Sequence, residues 1–174
     1  METFYSVVSD FLEPVQETSK EKGQYYAFDR WAGEGLSELD SNRQILERKL
    51  AQVEPGEEGY LETIIQLAKL HLANYFPHEA LGYFSFANEQ LADLQEDSPE
   101  LLSLKAAAEA LAGQGLAARR SFSDPALKDI AELDYWRAYN ESRLENWAEA
   151  YALTPRSSDM LNNYPDAIRY EMAL

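Results

Sequence analysis

Apolar residues recur along most of the chain at the three- and four-residue spacing of a helix, and the alternation typical of strands is nearly absent. The stripes predict helices over about 36–53, 60–73, 78–94, 101–112, 116–122, 129–144 and 147–153, with a last helix from Pro165. Residues 4–12 have the same spacing, although Val7 and Val8 leave a short strand as the alternative. The pattern therefore predicts an all-α fold.

Start and stop signals group the central helices into pairs. Pro77 suits the first turn of a helix, where its missing N–H costs nothing. Ser98 can cap the helix that follows it, with Pro99 at the first helical position. Gly113 and Gly115 form a turn between two helices rather than a phosphate loop, because no strand precedes them. The unit of long helix, tight turn and second helix thus occurs three times.

Three alanine pairs share one offset of 12 residues: Ala68/Ala80, Ala106/Ala118 and Ala138/Ala150. Their second members recur after 38 and 32 residues, which bracket the 34-residue period of helix–turn–helix repeats. Small residues on facing helices allow the close approach that a short turn requires. Phe84 and Phe122, four residues after Ala80 and Ala118, can fill the groove to the neighbouring unit. An ordinary α-helical bundle with chance alanine spacing is the alternative.

At these positions the chain resembles the tetratricopeptide repeat family, most closely the irregular arrays of large bacterial members. The first unit carries the family's residues Ile64, Leu67, Ala68, His71, Ala80, Phe84 and Ala87. The second keeps Leu102, Ala106, Ala118 and Phe122, and the third keeps Ala138, Trp147, Ala150 and Pro155. Lys105 and Arg137 replace the family's leucine in these two units.

The resemblance implies an α-solenoid of stacked antiparallel helix pairs. Residues 1–58 would form a helical lead-in that caps the first repeat. Repeats would follow over about 59–98, 99–128 and 129–156, with a partial one over 157–174.

In this family the first helices line a concave groove. Carrying that pattern over gives ten candidate partner-binding residues: Glu62, Ile65, Lys69, Leu72, Glu100, Ser103, Glu132, Tyr135, Tyr139 and Ser142. The two tyrosines, if exposed, would be anchors for a partner. Family members that hold a terminal carboxylate use several cations, whereas this set offers one lysine. The expected partner is therefore a protein or peptide segment that is basic or amphipathic, bound more weakly as salt increases.

Composition excludes several classes of function. The chain has 31 acidic and 15 basic residues, a net charge of −16, which does not suit a nucleic-acid backbone or an anionic membrane surface. It contains no cysteine, so thiolate catalysis and cysteine metal sites are absent.

The remaining candidates for chemistry have structural alternatives. Of the two histidines, His71 is interpreted as a packed residue, and neither His71 nor His78 has metal-type spacing. Arg119 and Arg120, the only adjacent basic pair, indicate a solvated face rather than an anion site. The carboxylates flank turns and helix starts, where they assist helix dipoles. We expect no cofactor, no metal and no catalytic site.

No apolar run is long enough to span a bilayer, and the N-terminus lacks the features of a signal peptide. We therefore expect a soluble protein and favour the cytoplasm over other compartments. A signal could still lie upstream if the chain is part of a longer protein. Ile168, Met172 and Ala173 would leave the last helix with an exposed apolar side, which favours self-association. No glycine or asparagine C-cap follows this helix, which predicts that the chain is a fragment of a longer protein. A natural terminus on a frayed turn is the alternative.

The sequence thus predicts a non-catalytic protein-binding scaffold. The alternative is a structural or capping part of a larger assembly, with the groove filled by its own chain or by a sister subunit. An open groove with exposed tyrosines would favour the first function. A groove occupied by residues 1–35 would favour the second, and a buried carboxyl pair in a pocket would point to an enzyme.

Overall fold

The computed structural model describes residues 25–33, 35–57, 59–93 and 98–173, and within those ranges the chain is all-helical without a strand. Nine α-helices lie in these ranges: α1 (Phe28–Trp31), α2 (Leu36–Leu50), α3 (Tyr60–Ala73), α4 (Pro77–Asp93), α5 (Pro99–Leu111), α6 (Gly115–Phe122), α7 (Leu133–Arg143), α8 (Trp147–Leu153) and α9 (Asp166–Met172). Two short 3-10 helices, Pro125–Leu127 and Asp159–Asn163, precede α7 and follow α8. The segment 4–12 lies outside the described residues.

Local signals place most helix ends within a few residues of the prediction. The Ser98 hydroxyl accepts a hydrogen bond from the Leu101 N–H at 3.2 Å, which confirms the predicted cap of α5. The largest difference is at α7, which begins at residue 133 rather than 129. Asp124 accepts from the Ala126 N–H at 2.9 Å and caps a 3-10 helix instead, so residues 129–132 are used in turns.

Three turns of one geometry join α3 to α4, α5 to α6 and α7 to α8. Each contains three residues, and the middle one has positive φ: Tyr75 at 62°, Gly113 at 77° and Glu145 at 62°. The last N–H of each turn reaches the carbonyl five residues earlier, as in a Schellman motif. These bonds join Phe76 to His71, Gln114 to Glu109 and Asn146 to Glu141, at 2.9, 2.8 and 2.9 Å. The turns recur after 38 and 32 residues, the same intervals as the alanine pairs.

The positive φ of the turns leads to a prediction of stability. Glu145→Gly should raise the free energy of unfolding by about 1 kcal/mol, because a side chain is disfavoured in the left-handed region and glycine is not. Gly113→Ala should lower it by a similar amount through backbone strain alone, since a Cβ there would meet no other atom within 4 Å. Urea denaturation measures both. Two substitutions without effect would show that these turns are not held in the left-handed conformation.

Each helix from α2 to α7 packs against the next one in chain order, and α5 also packs against α7. The alanine pairs lie inside these contacts: Ala68, Ala80, Ala106 and Ala118 are fully buried, and Ala138 and Ala150 nearly so. Phe84 and Phe122 are buried as well. The register that the alanines predicted therefore places all six on interior faces.

The two ends of the described chain fold onto this array and share its core. Tyr26, just before α1, and Phe28, its first residue, belong to the same buried cluster as the helix pairs. Tyr164, before α9, and Ile168, within it, belong to this cluster too. Ile168 is fully buried. The expectation that the last helix exposes its apolar side is therefore wrong for this residue, because α9 folds back over the array.

Candidate functional site

Residues 25–32 lie against the surface that the sequence assigned to a partner-binding groove, and contact Lys69, Ser103 and Glu132 of that set. In the first unit, the ammonium of Lys69 lies 5.0 Å from the centre of the Trp31 ring, within the range of a cation–π contact. In the second, the Tyr26 hydroxyl donates to the Ser103 carbonyl at 2.9 Å. The segment therefore lies along the first helices of these two units and continues to the third.

At the third unit the segment is held by a carboxylate and by stacked rings. The Tyr25 N–H donates to Oε2 of Glu132 at 2.6 Å, just before α7. The Tyr26 ring stacks on Trp136 of α7, with centroids 5.2 Å apart and planes 30° apart. One short segment thus contacts all three helix pairs.

Tyr164, from the end of the chain, completes the aromatic cluster. Its ring meets Phe28 edge to face at 4.7 Å, and its hydroxyl accepts a hydrogen bond from the Trp136 indole at 3.1 Å. Tyr26, Phe28, Trp136 and Tyr164 are all buried. Edge-to-face and offset contacts of this kind add to the stability that ring burial provides.

The ten predicted groove residues lie along this face, but few of them are free to meet a partner. Those with the least exposure are Leu72, Ser103, Glu132, Tyr135 and Tyr139. Ile65, Lys69, Glu100 and Ser142 are half-buried, and Glu62 is exposed. Lys69 and Glu100 form an ion pair at 2.9 Å that joins the first two units. The condition for tyrosine anchors is not met, because Tyr135 and Tyr139 are both buried.

Glu132, one of the ten predicted groove residues, is a buried carboxyl rather than an exposed one. It is 8% exposed, and burial raises its pKa, while hydrogen bonds from the backbone of Tyr25 and Tyr26 act in the opposite direction. It borders a pocket of about 340 Å³ with Tyr26, Pro155 and others. No signal in the sequence indicates this burial, since the burial depends on a segment more than 100 positions away.

Glu132→Gln should stabilise the protein at neutral pH, because the amide keeps a hydrogen-bond acceptor and removes a desolvated charge. A raised carboxyl pKa in the folded state means that the charge reduces stability once the pH exceeds the unfolded value. The gain should therefore be largest at neutral pH and vanish below about pH 4, where both states are protonated. Melting temperatures between pH 3 and 8 test this, with Glu54→Gln in an exposed turn as the control. An equal gain at all pH values would contradict the argument.

A second set of buried polar side chains occupies one equivalent position in the three units, five residues before the end of each turn. The residues are His71, Glu109 and Glu141. The His71 ring nitrogen Nδ1 lies 2.7 Å from the Leu67 carbonyl, which confirms the prediction of a packed histidine. Glu109 is bound by Lys105 and Ser121, at 2.9 and 2.7 Å.

Glu141 links the second and third units. Arg119 of α6 donates to it with two nitrogens, one at 2.8 Å, and Asn146 adds a bond at 2.9 Å. The Arg119 guanidinium holds the pKa of this carboxyl below its usual range. The Arg119 side chain is 40% exposed and Arg120 is exposed, as the prediction of a solvated basic face requires, although Arg119 also has Glu141 as a partner. Because Glu141 occupies the guanidinium, Arg119 is not an open anion site.

The two departures from the family's leucine also have structural partners. Lys105 pairs with Glu109, as described above, and Arg137 donates to the carbonyls of Leu127 and Phe122 at 2.7 and 3.3 Å. Arg137 also bridges to Asp134 at 3.0 Å. Both cations therefore bind groups at helix ends where the family packs an apolar side chain.

Over the described ranges, no three His, Cys, Asp or Glu side chains are arranged to hold a metal ion. No helix in the same part of the chain is long and apolar enough to cross a bilayer. No protein-family model, curated protein or solved structure matches the chain. The tetratricopeptide resemblance therefore stays a prediction, supported by the internal repeat alone.

Proposed function

We propose that this chain is a non-catalytic, tetratricopeptide-like helical array with a structural role, in which residues 25–32 fill the concave groove. The observation that carries the proposal is that this one segment contacts the first helices of all three pairs. It favours the structural alternative over an open peptide-binding groove.

The repeat supports a solenoid rather than an unrelated bundle. Three turns with one hydrogen-bond pattern recur at the intervals of the alanine pairs, and successive helices pack in chain order. In repeat arrays each unit contacts its neighbours in this way, and the stacked first helices form the inner surface. The covered face is then the concave one.

The depth of burial supports an integral role for the segment. Phe28 is fully buried and Tyr26 nearly so, and the Tyr26 hydroxyl is satisfied by a backbone carbonyl. A competing peptide would have to replace these contacts as well as the ring contacts with Trp136 and Tyr164. Tyr26 and Phe28 are also part of the buried core, so their displacement by a ligand would expose core surface.

The buried ionisable groups support a non-catalytic role. Glu132 accepts hydrogen bonds from the segment, Glu109 binds a lysine and a serine, and Glu141 binds an arginine. A general acid or base needs a proton-transfer route to a substrate. Each of these carboxyls instead binds a group from another segment of the chain, which is a structural role.

A peptide competition experiment tests the proposal. A fluorescent peptide with the sequence of residues 25–32 is added to the wild-type chain and to Phe28→Ala, and anisotropy and melting temperature are measured. We expect no binding to the wild type, and a peptide-dependent rise in melting temperature for the variant, because the peptide can supply the missing ring to the cavity between Trp136 and Tyr164. Saturable binding to the wild type would show that the segment is displaceable and that the groove serves external ligands.

A further inference from the structure

The third helix pair exposes two large aromatic side chains on α8. Trp147 is 63% exposed and Tyr151 is 86% exposed. They are four residues apart and therefore lie on one face of the helix. Single exposed aromatic side chains are common on protein surfaces. Whether this pair indicates a binding surface therefore depends on its position in the repeat.

The 32-residue offset between the second and third units shows what this position does elsewhere in the chain. Trp147, Tyr151 and Thr154 correspond to Gly115, Arg119 and Phe122 of α6. Those three residues of α6 receive the first helix of the next unit. The contacts are Asn140 to the Gly115 carbonyl at 3.0 Å, Arg119 to Glu141, and Arg137 to the Phe122 carbonyl. Trp147 and Tyr151 therefore stand where a following helix would pack.

The chain after α8 leaves this face open within the described residues. It turns towards α7, where the Tyr135 hydroxyl donates to the Ser157 carbonyl, and then enters the aromatic cluster through Tyr164. This path covers the α7 side of the last unit. The exposure of Trp147 and Tyr151 shows that it does not cover the α8 side.

We propose that this α8 face, defined by Trp147 and Tyr151, binds a basic amphipathic helix of a partner protein in the place of a following first helix. The exposed carboxylate Glu145 lies in the turn just before Trp147. Tryptophan and tyrosine rings attract lysine and arginine, and a nearby carboxylate strengthens that preference. The proposal concerns a surface separate from the filled groove, and it does not depend on the function proposed for that groove.

Charge decides between this occupant and two others. A second copy would bring its own net charge of −16 to an acidic surface. The chain's own residues 1–12 contain Glu2 and Asp10 and no lysine or arginine. A basic helix complements the face, whereas these two do not.

The probe is a labelled, helical peptide of leucine and lysine, about 18 residues long, or five turns. The control peptide has the same leucine stripe, with glutamate in place of lysine. We expect the full chain to bind the lysine peptide at physiological salt, and Trp147→Ser/Tyr151→Ser to bind it at least about tenfold more weakly. Tyr170→Ser/Leu36→Ser removes exposed apolar side chains elsewhere and should bind like the wild type.

A charge reversal separates a defined site from general attraction to an acidic protein. Glu145→Lys should weaken binding of the lysine peptide and strengthen binding of the glutamate peptide, whereas Glu149→Lys, on the opposite side of α8, should change neither. Tyr151→Lys, a single exposed change, repeats the test if the double serine variant does not fold. Equal affinity of the wild type and the serine variant, or no binding at all, would overturn the proposal.

Two further results would assign the face to another occupant and also overturn the proposal. Sedimentation that detects a dimer of the free protein, abolished by Trp147→Ser/Tyr151→Ser, would identify a second copy. Protection of Trp147 from acrylamide quenching in the free chain, with Trp147→Phe as the reference, would identify the chain's own N-terminal residues.

Discussion

Phe28→Ala is expected to lower the free energy of unfolding by about 3–5 kcal/mol, the range for loss of a fully buried phenylalanine. The ring contacts Tyr26, Trp31, Trp136 and Tyr164, so its removal leaves a cavity between the segment and the array. Because this cluster joins both ends of the described chain to the third unit, the loss should affect the whole array. Denaturant unfolding followed by circular dichroism measures the change.

The control for this prediction is Leu36→Ala, at the start of α2. Leu36 is 69% exposed, so its truncation should change stability by no more than about 0.5 kcal/mol. A loss at Phe28 as small as that at Leu36 would mean that residues 25–32 are not part of the folded core. A separate early transition in Phe28→Ala, with the array unfolding as before, would show that the segment detaches as an independent unit.

The helices of the repeats were predictable because their signals are local. The apolar stripe of α3, the proline of α4 and the cap at Ser98 each act within a few residues. The alanine spacing indicated which faces turn inward. The turns were predictable in position, but the positive φ of Tyr75 and Glu145 was not, because only glycine signals that conformation in a sequence.

The covering of the groove could not be predicted from the same signals. The aromatic run from Tyr25 to Trp31 is evident in the sequence, but periodicity does not say which distant surface it meets. The bond from Tyr26 to Ser103 spans 77 residues, and that from Tyr25 to Glu132 spans 107. The chain's own residues 25–32 contact the face that the family resemblance assigned to a ligand.

The buried acids show a further limit of prediction from composition. A net charge of −16 suggests an acid-lined binding surface, yet Glu109, Glu132 and Glu141 are used inside the fold. Each is distinguished by its partner rather than by its neighbours in sequence. Partners such as Arg119 and Ser121 come from other helices, and only the folded chain brings them close.

Ala80→Leu should lower the free energy of unfolding by about 1–3 kcal/mol through overpacking. Ala80 is fully buried on α4, the second helix of the first pair, and its interior contacts leave no room for three more carbon atoms. Ala118→Leu should have a similar effect, because Ala118 is fully buried at the equivalent position of α6. Thermal and urea denaturation of the three proteins would measure the differences.

The equivalent substitution in the third unit makes the prediction specific. Ala150 is 8% exposed and lies in the short helix α8, so Ala150→Leu should cost less than the other two. Ala152→Leu, on an exposed face of the same helix, should be close to neutral and controls for the added side chain itself. Unchanged stability in Ala80→Leu and Ala118→Leu would show that the helix pairs do not approach through their alanines. A graded loss in the order expected from burial would support one repeat geometry with a looser third pair, the pair whose outer face carries Trp147 and Tyr151.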